Sequence, residues 1–155
     1  VMGIDTTFLS AFAKSQIACG TILPSKGTVF ISIDDDNKKF ILTIVKKLID
    51  LNFKIVATKG TAKFLNDHNL KVETINKVKE GGSHIVNAIS DNKIDLVINT
   101  TKTQGSIRDS YSIRRTALTF NIPYYTTIAG AKVAVDTIEH LKNNNLKVKS
   151  LQDLI

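Results

Sequence analysis

The sequence predicts an α/β fold in three layers: an open sheet of five parallel strands with helices on both faces. Three observations carry that expectation. Short apolar runs rich in β-branched residues alternate five times with segments whose apolar residues recur at helical spacing. Such alternation calls for right-handed crossovers, which place a helix after each strand and cover both sides of a parallel sheet. The 155 residues, 43% of them apolar, suffice for one domain with its own core but not for two full-sized ones.

The elements follow in order. Residues 5–18, DTTFLSAFAKSQIA, read as a helix with Asp5 or Thr6 as N-cap, Phe8, Leu9, Phe12 and Ala13 on one face, and Gly20 at its end. TILPSKG, residues 21–27, mixes proline, glycine and polar residues and reads as a linker. Residues 1–20 are thus assigned to the helical end of a preceding region, and 28–155 to the domain proper. TVFISI, residues 28–33, is the first strand. Its helix lies in DDDNKKFILTIVKKLIDLN, where Phe40, Ile41, Ile44, Val45, Leu48 and Ile49 share a face. The later strand and helix pairs are FKIVA with TAKFLNDH, KVETI with SHIVNAISD, DLVINT with SIRDSYSIRRTALTF, and PYYTT with AKVAVDTIEHL. The tail, NNNLKVKSLQDLI, alternates Leu146, Val148 and Leu151 and is expected to pack as an extended segment and a final turn.

Composition narrows the function classes. The formal charge of +7 suits an anionic partner, but the lysines are scattered and aromatic residues make up only 6%, so a phosphorylated small molecule is as good a partner as nucleic acid. Cys19 is the single cysteine; it forms no disulfide within one chain, fits a reducing compartment such as the cytoplasm, and reads as a structural thiol. No apolar run reaches the length of a membrane span, so no membrane partner is expected. The opening VMGID carries no targeting signal, and a longer polypeptide is expected to precede it.

In an open parallel sheet, ligands gather beyond the carboxyl ends of the strands. The residues there are Ser32 and Lys38 after the first strand and Thr58, Lys59, Gly60 and Thr61 after the second. Asn76, Lys77, Gly81 and Gly82 follow the third, Asn99, Thr100 and Thr101 the fourth, and Thr126, Thr127 and Gly130 the fifth. Hydroxyl, amide and ammonium groups dominate. A helix that begins at Thr58-Lys59-Gly60-Thr61 offers unpaired backbone N–H groups and a partial positive charge, with two hydroxyls beside them, which is what phosphate oxygens need. The plainer alternative is that Thr61 is an N-cap and Gly60 a tight turn. Asp34, Asp35 and Asp36 read as helix-start carboxylates rather than metal ligands, and His68, His84 and His140 lack metal-ligand spacing; His84 alone lies near the site. Arg114 and Arg115 read as a solvated or interface face. No Walker A, G-x-S-x-G or G-x-G-x-x-G motif occurs.

The order ATKGTA, NKVKEG, INTT, IRDSYSIRRTAL, YYTT resembles the methylglyoxal-synthase-like regulatory domain at the carboxyl end of the large subunit of carbamoyl-phosphate synthase. The likeness runs over essentially the whole chain, with VMGID and the first helix similar to the end of the second synthetase half. It implies a Rossmann-like sheet that binds a nucleotide monophosphate such as UMP or IMP, or phosphoribosyl pyrophosphate in some members. By motif match the phosphate falls to Lys38, Thr58, Thr61 and Lys77, the ribose or base to Ser32, Asn99 and Thr101, and an ornithine-side contact to Tyr124 and Thr126. The resemblance implies no catalytic residue and no cofactor for this stretch. It places it in a parent ligase that uses ATP, magnesium or manganese, and potassium to make carbamoyl phosphate for pyrimidine and arginine biosynthesis. The implied partners are the nucleotide, the remainder of the large subunit and the small glutaminase subunit, with room for self-association.

Methylglyoxal synthase, which has the same fold, is the rival. It eliminates phosphate from dihydroxyacetone phosphate with a carboxylate base in a Gly-Gly-Asp loop and a histidine after the fourth strand. Here the loop reads GGSH, with Ser83 at the base position and Arg108 at the histidine position, leaving only Asp35 nearby. The expectation is therefore a binding domain without chemistry. Its ornithine half-site, which offers no carboxylate of its own, is expected to bind ornithine negligibly, since a desolvated ammonium without a partner is costly.

Overall fold

The structure, a computed structural model, describes residues 1–77, 84–100, 104–148 and 150–154, with only the backbone for 104–109, 153 and 154. The elements are α1 (Phe8–Ala18), β1 (Thr28–Ser32), α2 (Lys38–Asp50), β2 (Lys54–Ala57), α3 (Lys59–Asp67), β3 (Glu73–Thr74), α4 (Ile85–Ser90), β4 (Leu96–Asn99), α5 (Gln104–Thr119), β5 (Tyr124–Tyr125) and α6 (Ile128–Asn143). A short 3-10 turn, Asp35–Asn37, leads into α2, and another, Leu151–Leu154, lies in the tail. The strands form one sheet in the order β3-β2-β1-β4-β5, and every pairing is parallel. The chain leaves β1 towards β2 and β3, then returns to the other side of β1 for β4 and β5. That reversal opens a crevice over the carboxyl ends of β1 and β4, where the two adjoining loops diverge.

Side chains alternate along the strands and build a core on each face. On one face Val29, Ile31, Ile55, Ala57, Leu96 and Ile98 meet α2, α3 and α6 through Ile41, Val45, Leu65, Ala131 and Val135, among others. On the other, Phe30, Val56 and Val97 meet α4 and α5 through Ile85, Ile89, Ile113 and Ala117. Each fully buried aliphatic side chain contributes roughly 1.5–3 kcal/mol.

All four helix-to-strand returns before β2, β3, β4 and β5 use an asparagine with positive φ: Asn52, Asn69, Asn92 and Asn121. Each is followed by an N–H that reaches back to the helix, as in Phe53 to Leu48 O at 3.0 Å and Ile122 to Ala117 O at 2.8 Å. Asparagine tolerates the left-handed conformation that ends a helix in this way.

Several local details differ from expectation. Thr7 rather than Asp5 or Thr6 caps α1, accepting from the Ser10 N–H at 3.3 Å. Asp5 is instead occupied by Lys14 at 2.7 Å, which holds its carboxyl down at a pKa of about 2. Cys19 is exposed, because it stands where α1 ends and the chain turns out through Gly20 at φ 76. β3 and β5 keep two residues each, since each lies at an edge and pairs along one side only. In the tail Val148 is 99% exposed and does not pack. α1 lies against α6, with the Ser10 hydroxyl 2.9 Å from His140 Nε2 and the Tyr125 hydroxyl donating to Gln16 Oε1 at 3.0 Å.

Candidate functional site

A cavity of about 410 Å³ opens at the carboxyl edge of β1 and β2, and Ser32, Lys38, Thr58, Gly60, Thr61 and Lys77 line it. Five of the residues expected to touch a ligand are thereby brought together. The row exists because β1, β2 and β4 are in parallel register. Ser32 pairs with Asn99, and Thr58 follows the Ile31–Ala57 pair, so the three side chains rise from the same face at the same height.

Thr58 begins α3 with extended backbone, φ −63 and ψ 152, but its hydroxyl does not cap the helix. That hydroxyl points across the site, 3.4 Å from Ser32 Oγ and 3.3 Å from Thr61 Oγ1. The first turn of α3, Gly60 and Thr61 of which line the cavity, thus has no side-chain cap from Thr58, and the positive end of its dipole lies there. Thr61 is 1% exposed and does two jobs, since its hydroxyl also accepts from the Ile33 N–H at 3.1 Å. It fixes the loop after β1 to the start of α3.

Gly60 has an ordinary backbone, and among the described residues a Cβ there would meet only the Lys38 ammonium, at 3.8 Å. Neither backbone conformation nor packing requires a glycine. The absent side chain leaves the floor of the cavity open. Lys38 reaches over this floor, with its ammonium 6.0 Å from the Phe64 ring centroid and 2.6 Å from an Asp35 carboxylate oxygen.

One feature escaped sequence reasoning. Asp34 is a clasp between loops: Thr100 Oγ1 donates to its Oδ2 at 2.6 Å and accepts from its N–H at 3.1 Å. It also accepts from the Asn37 side chain at 2.7 Å. The signal was the meeting of a carboxylate after β1 with a threonine after β4, which only the strand order reveals. Asn99, an expected ribose or base contact, is 1% exposed, and among the described residues its side-chain amide nitrogen has no hydrogen-bond partner. A buried donor of that kind calls for an acceptor from a ligand or water.

Among the other expected residues, Thr101 lies outside the described residues, as do Gly81, Gly82 and Ser83, and the side chain of Arg108 is not described. Tyr124 is half-buried in β5, and Thr126 follows it, exposed, at the far end of the carboxyl edge. Thr127 caps α6 by accepting from the Gly130 N–H at 3.1 Å. The neighbouring Tyr125 is pushed up to about 12 by burial and stays neutral. His84 begins α4, its N–H donating to Asn87 Oδ1 at 3.3 Å. Among the described residues no group of three or more His, Cys, Asp or Glu side chains could hold a metal ion. The described cavity therefore sets hydroxyls and the ammonium groups of Lys38 and Lys77 beside the carboxylates of Asp34, Asp35 and Asp36.

The sequence profile of the MGS-like domain family matches residues 40–126. Over 153 residues the chain is 46% identical to the carbamoyl phosphate synthase large chain of Mesorhizobium japonicum, covering 99% of this chain and 13% of that protein. It is likewise 46% identical over 155 residues to the carbamoyl phosphate synthase large chain, C-terminal section, of Methanopyrus kandleri, covering 99% of this chain and 29% of that one. The chain spans a small part of these relatives. Among solved structures, methylglyoxal synthase from Elizabethkingia anophelis NUHP1 superposes with a TM-score of 0.55 at 20% identity, over 73% of this chain and 79% of that one. The fold is shared.

Proposed function

The chain belongs to the MGS-like domain family, and from that premise we propose that it is the effector-binding domain of a carbamoyl-phosphate synthase large subunit, taking a nucleotide monophosphate of the UMP or IMP kind at the carboxyl edge of its sheet. The observation that carries this reading is the cradle formed by Lys38, Thr58, Gly60, Thr61 and Lys77 around the open amino end of α3. The phosphate sits on the α3 N–H groups, with the two ammonium groups balancing its charge. Ser32 and the unpartnered amide of Asn99 lie one and two strands away, where the ribose or base of the same ligand would extend, and Thr101 belongs with them. Tyr124 and Thr126 supply an ornithine-side half-site that needs carboxylates from elsewhere in the parent. Residues 1–20 are read as the end of the preceding region and 21–27 as the linker. Bound nucleotide tunes the parent ligase, through its different affinities for two states of the whole enzyme. Isothermal calorimetry with UMP, IMP and phosphoribosyl pyrophosphate tests the reading: saturable binding of at least one is expected, and ornithine alone gives no heat. No binding of any phosphorylated ligand would overturn it.

One observation favours a lyase reading, namely that Asp35 lines the same cavity in a chain that shares the methylglyoxal synthase fold. Its carboxylate is 90% exposed and paired with Lys38, a poor arrangement for removing a carbon-bound proton. Incubation with dihydroxyacetone phosphate is expected to yield no methylglyoxal above the uncatalysed rate. Formation that vanished in Asp35→Asn would favour the lyase.

A further inference from the structure

The cavity carries carboxylates of its own, from Asp34, Asp35 and Asp36, beside Lys38 and Lys77. The Lys38 ammonium lies above Gly60 at the amino end of α3, so a cation is parked against the positive pole of a helix. That placement is unfavourable unless a negative charge accompanies it. Asp35 supplies one at 2.6 Å, from the first residue of the 3-10 turn between β1 and α2. Asp34 is tied to Thr100 and Asn37, which fixes the backbone on which Asp35 stands.

We propose that Asp35 is an internal counter-ion that occupies, in the ligand-free molecule, the electrostatic place of the ligand's phosphate and must give up Lys38 when the phosphate enters. This rests on the reading of the cavity as a phosphate site. Two anions compete for one ammonium, and the pair that breaks subtracts from the affinity of the pair that forms. Because Asp35 is largely solvated, the competition is modest and tunes affinity rather than abolishing it.

The test compares wild type with Asp35→Asn, which keeps the shape and removes the charge, in calorimetric titrations with UMP and with inorganic phosphate. Asp50→Asn makes the same change of net charge at the opposite end of α2 and serves as the control. Asp35→Asn is expected to bind both ligands about two- to fivefold tighter than wild type, the size of an exposed ion pair. Asp50→Asn is expected to match wild type. Equal affinity in Asp35→Asn and wild type would overturn the counter-ion role while leaving the phosphate site standing. Weaker binding in Asp35→Asn would overturn it differently, by making the carboxylate part of the ligand's own contacts. Equal tightening in both variants would reduce the effect to net charge and also overturn it. Absence of binding in every variant would remove the phosphate site itself, and the counter-ion with it.

Discussion

At the amino edge of the sheet the chain solves one problem four times in the same way, whereas at the carboxyl edge the described strand-to-helix connections differ from one another. Asn52, Asn69, Asn92 and Asn121 close each helix with the same left-handed residue and the same backward hydrogen bond. Opposite them, β1 leads into a 3-10 turn clasped by Thr100, β2 runs straight into α3 through Thr58, and β5 ends at a threonine cap. Repetition marks connections that need only return the chain. Variety marks the edge where each connection carries different groups to one place. The two glycines make the contrast local. Gly27 at the amino edge has φ 121 and a Cβ there would collide with the Asp95 carboxylate, which accepts from the Thr28 N–H at 2.7 Å. Gly60 at the carboxyl edge has no such constraint.

Substitutions sharpen the comparison. The largest loss of stability is expected from Gly27→Ala, about 2–4 kcal/mol, from backbone strain together with displacement of Asp95. Denaturant unfolding measures it, and the folded fraction should bind UMP as wild type does. Thr61→Val should cost about 1–3 kcal/mol of stability by leaving the Ile33 N–H unpaired, and it should also weaken nucleotide binding. An effect on one property alone would break the link between loop anchoring and the cradle. Asn52→Ala should cost about 1 kcal/mol, while Asn52→Gly should be neutral or slightly stabilising, with no change in affinity from either.

The smallest effect concerns pH and lies away from both edges, between α2 and α6. Burial on its own would raise the Asp136 pKa, but Lys132 and Lys47 outweigh it and hold the carboxyl below its usual value. A depressed carboxyl stabilises the fold above its unfolded pKa of about 4, and that contribution is lost as pH falls through the lower folded value. Thermal melts between neutral and acid pH should therefore show a shallower acid limb in Lys47→Met than in wild type.

Much of this was legible in the sequence because it is local. Helical spacing in Ile41, Ile44, Val45 and Leu48 and the β-branched run of Val29 to Ile31 locate α2 and β1 without further information. The return asparagines could have been read as well, since each stands two residues after a helix. Less legible was whatever depends on a partner distant in sequence. Asp5 has the right chemistry for a cap but is taken by Lys14, so Thr7 caps α1. KVETI and PYYTT have strand composition, yet only the residues with a ladder partner pair. In the cradle, Thr58 and Thr61 could be picked out from their position before a helix. The Asp34–Thr100 clasp joins residues 66 apart and follows only from β1 and β4 being neighbours.

If the carboxyl edge takes the proposed phosphorylated ligand, Gly60 tests it most directly. Stability and UMP affinity should be measured together for Gly60→Ala, by thermal unfolding and by calorimetry. Stability should stay within about 0.5 kcal/mol of wild type, because a Cβ meets no obstacle and alanine favours a helix. Affinity should fall about tenfold or more, because a methyl group would stand on the floor of the cradle. Unchanged affinity in a stably folded Gly60→Ala would contradict the account.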